Sequence, residues 1–162
     1  MVNAQWACVR PCVAVRPSEN ASMSTSLEKL KPADGCNELV ELASTTRGEV
    51  EARYLVDALK LIECQADVTG GTLLVAGAAL AWRTPSGKLL LPLPVDYLSW
   101  SHDINTFFDQ PVFAVADKTA LIGGEASMLV QRQLTERGWS LVARAQYEGA
   151  PRYAQNFAFS SQ

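Results

Sequence analysis

His102 is the chain's single histidine, so mechanisms that need two imidazoles, such as an HEXXH zinc site or a histidine-aspartate metal phosphohydrolase, are closed to it. Its neighbours spell Ser101-His102-Asp103, the letters of a proton relay. Adjacent side chains project in different directions, however, and cannot pass a proton among themselves. His102 and Asp103 are candidate catalytic residues only in concert with a distant nucleophile or acid. A surface or helix-capping histidine is the plainer expectation.

Gly123-Gly124 stands between a predicted strand and a predicted helix, where glycines let backbone N–H groups close on an anion at a helix N-terminus. The pair is therefore a candidate ligand-binding position. Neither GxGxxG nor GxxxxGK[ST] occurs, and Glu125 puts a carboxylate where a phosphate would sit, so a tight turn is the simpler expectation. A pocket joining His102 to this glycine pair would be the signature of a small ligand-binding domain or enzyme.

Cys8, Cys12, Cys36 and Cys64 do not form two closely spaced ligand pairs, so no metal site is expected from them. They are expected as reduced thiols, with Cys64 on the inward side of a helix. Asp96, Asp103, Asp109 and Asp117 lie in or beside connections, where aspartate usually does turn chemistry. Their spacing matches no EF-hand loop, and no G-x-S-x-G nucleophile elbow is present. No cofactor is expected. Trp82, Tyr97, Trp100, Phe107, Phe108 and Phe113 concentrate aromatic mass in the middle of the chain. Most should be core, and any of Trp100, Phe107 and Phe108 left exposed together would mark a partner surface.

The elements that must position these residues are legible in part. Residues 1–25 mix Pro, Arg, Ser and Asn without a period, and read as a loosely ordered leader with Met23 as a candidate start. Ser26 to Leu30 reads as a short helix closed by Pro32, and Asp34 as the cap of a second helix through Leu39 and Leu42. Thr46 with Glu49 is a capping-box signature for the main helix, whose Val50, Tyr54, Leu55, Ala58, Leu59 and Ile62 recur at helical spacing.

Thr72 to Arg83 and Lys88 to Leu91 read as the two strands of a hairpin turning at Thr84-Pro85-Ser86-Gly87. Pro92 and Pro94 should stop the second strand and place its end at a sheet edge. Ser101 to Phe108 reads as a short helix capped by Ser99 or Ser101. Val112 to Ala116 and Thr119 to Ile122 read as strand, Glu125 to Arg137 as helix with Gly138 as its stop, and Trp139 to Ala145 as strand. The expected fold is α+β: N-terminal helices on a small mixed sheet of four to five strands, ending in a strand-helix-strand unit. Residues 26–147 form the expected single domain, and 148–162 a C-terminal tail.

Composition bounds the function. Of 162 residues, 48% are hydrophobic and 19% charged, a balance that folds rather than stays disordered. The net charge of −3 and the glutamates interleaved with Arg132, Arg137, Arg144 and Arg152 argue against a nucleic-acid partner. The apolar run from Thr72 to Trp82 is about half of what a membrane-spanning helix needs, and no secretory pattern opens the chain. A soluble, cytoplasmic, non-catalytic interaction or regulatory module, with a protein partner or a second copy of itself, is the expectation.

Overall fold

The computed structural model describes residues 17–150. Three helices come first: α1 (Pro17–Leu30), α2 (Cys36–Thr45) and α3 (Glu49–Glu63). The first is longer than its sequence pattern suggested, beginning at Pro17 rather than near Ser26. Met23, Leu27 and Leu30 recur at spacings of four and three, and all three are buried on one face, the stripe a half-buried helix requires. That face packs on α3, and Lys29 holds Glu63 at 3.0 Å across the same contact.

Two cap assignments shift. Asp34 does not cap α2: Gly35 does, with a φ of 91°, while the Asp34 carbonyl accepts from Leu73 N–H at 3.0 Å and bridges the chain to the first strand. A Cβ on Gly35 would lie 2.1 Å from the Leu73 carbonyl oxygen. Thr46 closes α2, donating from its hydroxyl to the Ala43 carbonyl at 2.7 Å. Gly48 precedes α3, and the Glu51 carboxylate reaches back to accept from Arg47 N–H at 2.8 Å. Only one half of the expected capping box is present, carried by Glu51 instead of Glu49, since Gly48 has no side chain to return the bond.

Helix α3 buries Ala52, Leu55, Val56, Ala58, Leu59, Leu61 and Ile62, more than one stripe, because α1 covers one side and the sheet the other. Val50, expected on the inward stripe, is 83% exposed. It stands on the first turn, past the end of the sheet.

The apolar run from Thr72 to Arg83 is two strands, β1 (Thr72–Ala76) and β2 (Ala79–Arg83). They are antiparallel, with Ala76 opposite Ala79. Gly77 takes a φ of 60° at the first loop position, as a type II′ turn demands. β3 (Leu89–Leu93) follows through the expected Thr84–Lys88 turn and pairs antiparallel with β2.

β3 lies in the middle of the sheet, not at an edge: the order is β1-β2-β3-β5-β7, with β5 (Lys118–Ile122) and β7 (Ser140–Val142) both parallel to their inner neighbours. A proline fits there because of register. Leu89 N–H donates to Asp117 and the Leu93 carbonyl accepts from Gly123, so alternate residues of β3 turn their backbone groups to β5. The Pro92 nitrogen therefore faces β2, and β2 pairs with β3 only through Trp82–Leu90 and Arg83–Leu89. Beyond Leu90 the paired ladder ends, although the two strands stay side by side.

A second, two-stranded parallel ladder joins β4 (Tyr97–Leu98) to β6 (Glu125–Ala126). Helix α4 (His102–Phe108) is capped by Ser101, whose Oγ accepts from Ile104 N–H at 3.2 Å. Val112–Ala116 is not strand: Pro111–Phe113 is a 3-10 turn. The last helix, α5 (Met128–Glu136), starts after β6 with Ser127 as its cap and stops at Gly138, whose φ is 77°.

The result is an α+β fold in three layers. Leu73, Leu80, Trp82, Leu90 and Leu121 face the N-terminal helices, while Leu89, Leu91, Leu93, Ala120 and Ile122 face α4, the 3-10 turn and α5, the alternation a twice-covered sheet imposes. Residues 1–16 and 151–162, with most of the expected leader and tail, lie outside the described residues.

Candidate functional site

The sequence-derived candidates do not come together. His102 and Asp103 are exposed on the first turn of α4, and the neighbouring Ser101 oxygen is already engaged in capping that helix. Gly123 N–H donates to the Leu93 carbonyl at 3.0 Å, Gly124 N–H to Val95 at 2.8 Å and Glu125 N–H to Asp96 at 2.9 Å. These amides are turned inward, tying β5 and β6 to the chain after β3. A Cβ on Gly124 would lie 1.9 Å from the Asp96 carbonyl oxygen, so glycine is required there by the approach of two backbones.

Trp100 and Phe108 belong to the second core. Their rings stack at 6.0 Å, and Phe108 meets Trp139 edge-on at 5.4 Å. Arg137 lies over Trp100 at 5.1 Å, donates to Asn105 Oδ1 at 2.6 Å and pairs with Asp109. Arg144 pairs with Glu125. Two of the C-terminal arginines are thus fastened to carboxylates, and Arg152 lies outside the described residues.

Cys64 ends α3 and is exposed, not inward as expected, because the helix terminates there. Cys36 is disulfide-bonded, against the expectation of reduced thiols; Cys8 and Cys12 are outside the described residues. Among the described residues no group of three or more His, Cys, Asp or Glu side chains could hold a metal ion.

One aromatic leads elsewhere. Phe107, half-buried, touches Phe113 on one side and lines a cleft of about 610 Å³. The cleft opens at the end of the sheet, past the last paired residues of β2 and β3. Continuing their register past Leu90 would set Ala79 opposite Leu93, and both residues line it. Pro92 has no N–H to give to β2, so the hydrogen-bonded ladder stops short of this end. Leu42, Thr45 and Thr46 close it from α2, Val50, Glu51, Tyr54 and Leu55 from α3. Ile104 and Phe107 of α4 form the opposite wall, with Val95 and Leu98 below it. The cleft therefore lies at the carboxyl end of β3, between the two helical layers, the place where open sheets with parallel strands receive ligands.

Its walls are chemically quiet. Among the described residues no histidine, cysteine, lysine or arginine lines it, and Glu51 is the one carboxylate that does. Burial pushes the Tyr54 phenol up to about 12, so it stays neutral at physiological pH. The Thr45 and Thr46 hydroxyls donate to the Leu42 and Ala43 carbonyls at 2.8 and 2.7 Å, which ties both to their own helix instead of to a base. A nucleophile with its activating partner is not assembled here; an apolar surface with a few polar points is. Further along α3, burial raises the Asp57 carboxyl, partly offset by Lys60 and by a hydrogen bond from Tyr147. The Tyr147 phenol is pushed up to about 12, by burial first and then by Asp57.

Sequence reasoning missed this cleft: of its lining only Phe107 is a candidate site residue there, while Leu42, Thr46, Val50, Tyr54 and Leu55 enter only as helix positions. Its one local signal was Pro92, read as a strand stop. Among the described residues no helix is long and apolar enough to cross a membrane. Comparison with protein-family models, with curated proteins and with solved structures finds no match to this chain.

Proposed function

We propose that this chain is a non-catalytic binding module that engages its partner through the cleft at the carboxyl end of β3. The carrying observation is the cleft itself: its volume falls within the range of about 300–1,000 Å³ typical of ligand pockets, and aliphatic and aromatic residues make up most of its lining. The interaction role first expected from mid-chain aromatics is kept, but its seat moves. Trp100 and Phe108 fill a core, and Phe107 alone of the three faces the cleft. A pocket at His102 and Gly123-Gly124 has less support, since the glycine amides are engaged and neither site lines the cleft. Cytoplasmic placement rests on the sequence reading alone.

The test is titration of the intact chain with Nile red, an uncharged dye whose emission shifts to the blue in apolar surroundings, beside an Ala78→Trp variant. Ala78 is exposed in the β1–β2 turn and lines the cleft, so an indole there fills the cavity without entering either core. The expected result is a saturable blue shift that the variant loses while its thermal melt stays unchanged. Dye binding that survives Ala78→Trp would remove the cleft as the binding seat.

A further inference from the structure

We propose that the Asp34–Gly35 peptide is a self-modification site: the Asp34 carboxyl closes on the Gly35 amide nitrogen to form a cyclic imide, and water reopens that ring to an isoaspartyl linkage. This inference is independent of the binding role given above.

Asp34 is the only aspartate followed by a glycine, and no asparagine is. A side chain on the following residue would hinder the approach of the carboxyl to the nitrogen, and glycine has none. Three features of the folded joint carry the proposal beyond the dipeptide itself. Gly35 N–H donates to Asp34's own Oδ1 at 2.8 Å, so the two groups that must react are already held in contact. The Asp34 carbonyl accepts from Leu73 N–H at 3.0 Å, which draws electron density out of the Asp34–Gly35 amide, and Gly35 is the N-cap residue of α2, at the positive end of that helix. Both favour the negative charge that develops on the nitrogen as its proton leaves. Finally, Asp34 is exposed, so solvent reaches the ring once it has formed.

The step balances without a further reagent. The bond from Gly35 N to Asp34 Cγ forms, one Cγ–O bond breaks, and that oxygen departs as water with the amide proton and the proton of the acid. A water molecule then adds to the Asp34 main-chain carbonyl carbon and breaks its bond to Gly35 N. The nitrogen stays on Cγ, the old carbonyl becomes a carboxyl group, and the backbone is one methylene longer at unchanged mass.

The place of this joint gives the change a consequence. Asp34 bridges the chain to Thr72 at the start of β1, and Gly35 lies so close to Leu73 that a Cβ would come within 2.1 Å of its carbonyl oxygen. A lengthened joint must shift away from β1 and carry the start of α2 with it. Isomerisation is thus a slow loosening of α2 from the sheet.

The experiment incubates the intact chain, folded and in urea, in heavy-oxygen water at neutral pH, followed by digestion and mass analysis. Expected in the folded chain is heavy-oxygen uptake at the Asp34 peptide about tenfold or more faster than at any other aspartate. The same peptide should accept methyl groups from an isoaspartate-specific carboxyl methyltransferase. Asp34→Glu, whose longer side chain does not close the five-membered ring, should lose both signals, and Asp34→Asn should react through the same ring with ammonia as the leaving group. The thermal melt of the parent should fall as isoaspartate accumulates, and that of Asp34→Glu should not.

Uptake at Asp34 in urea but not in the folded chain overturns the proposal, because the fold then protects the joint. Uptake that persists in Asp34→Glu overturns the imide route. A melt that stays constant while isoaspartate accumulates overturns the loosening of α2 and leaves the modification site standing.

Discussion

Gly124 shows how much a single hydrogen in place of a methyl group can decide. The β5–β6 joint crosses the chain after β3 so closely that a Cβ would meet the Asp96 carbonyl at 1.9 Å, and backbone cannot yield as a flexible side chain does. Gly124→Ala should destabilise the protein by about 3 kcal/mol or more, measured by denaturant unfolding, whereas Gly48→Ala, where a Cβ meets nothing within 4 Å, should change stability little. Two phenols make a second residue-scale prediction. Tyr54 and Tyr147 both ionise near 12 in the folded protein, against 10.0 for an unperturbed tyrosine. The unfolded chain loses those protons first as pH rises, so their contribution to stability is complete below pH 10 and is lost as pH climbs through 12. Spectrophotometric titration should show two late phenols, each removed singly by Tyr54→Phe and Tyr147→Phe, and thermal melts should fall across the same interval.

At the scale of the element, β3 is the informative strand. Its five residues are buried on both faces, and the proline within it faces the side where pairing with β2 has ended. Pro92→Val would restore an N–H aimed at β2 and let the ladder run on toward Ala79 and Leu93. The expected outcome is a narrower cleft: weaker Nile red binding with a thermal melt equal to or above that of the parent. Undiminished dye binding would mean that the proline does not shape the cleft. The caps offer a check that leaves the cleft alone. Ser127 Oγ accepts from Val130 N–H at 3.2 Å to start α5, so Ser127→Ala should cost about 1 kcal/mol. Cysteine there would be a poorer control, since its size changes the packing as well as the bond.

For the molecule as a whole, two cores share one sheet. Trp82 lies in the core beneath α1–α3 and donates to the Val68 carbonyl at 3.0 Å, and Trp139 lies in the core beneath α4 and α5. Because β3 and β5 send alternate side chains into both, loss of one core exposes the back of the other, and the two should melt together. Unfolding followed by fluorescence in Trp82→Phe and in the double variant Trp100→Phe/Trp139→Phe, both also carrying Trp6→Phe so that the remaining indoles lie in one core, should give midpoints that coincide with the far-UV signal of the same variant. Separate transitions would show that the layers are independent.

What the sequence determined by itself was the kind and order of most elements: the amphipathic period of α3, the Thr84–Gly87 turn, a serine cap for α4, the Gly138 stop of α5 and the strand-helix-strand order of the C-terminal unit. These depend on residues a few positions apart, where propensity and hydrogen-bond geometry act locally. The tertiary structure alone decided the rest. A run of Leu, Val, Ala and Gly carries no period by which a turn at Gly77 can be placed, so one expected strand became two. Val50 matched a helical stripe, yet the stripe outruns the sheet it packs on. Gly123-Gly124 resembles a turn open to an anion, but the carbonyls of Leu93 and Val95 accept from its two amides. The cleft was hidden for the same reason: its walls come from segments as far apart in the sequence as Leu42 and Phe107, and only the three-layer packing brings them face to face.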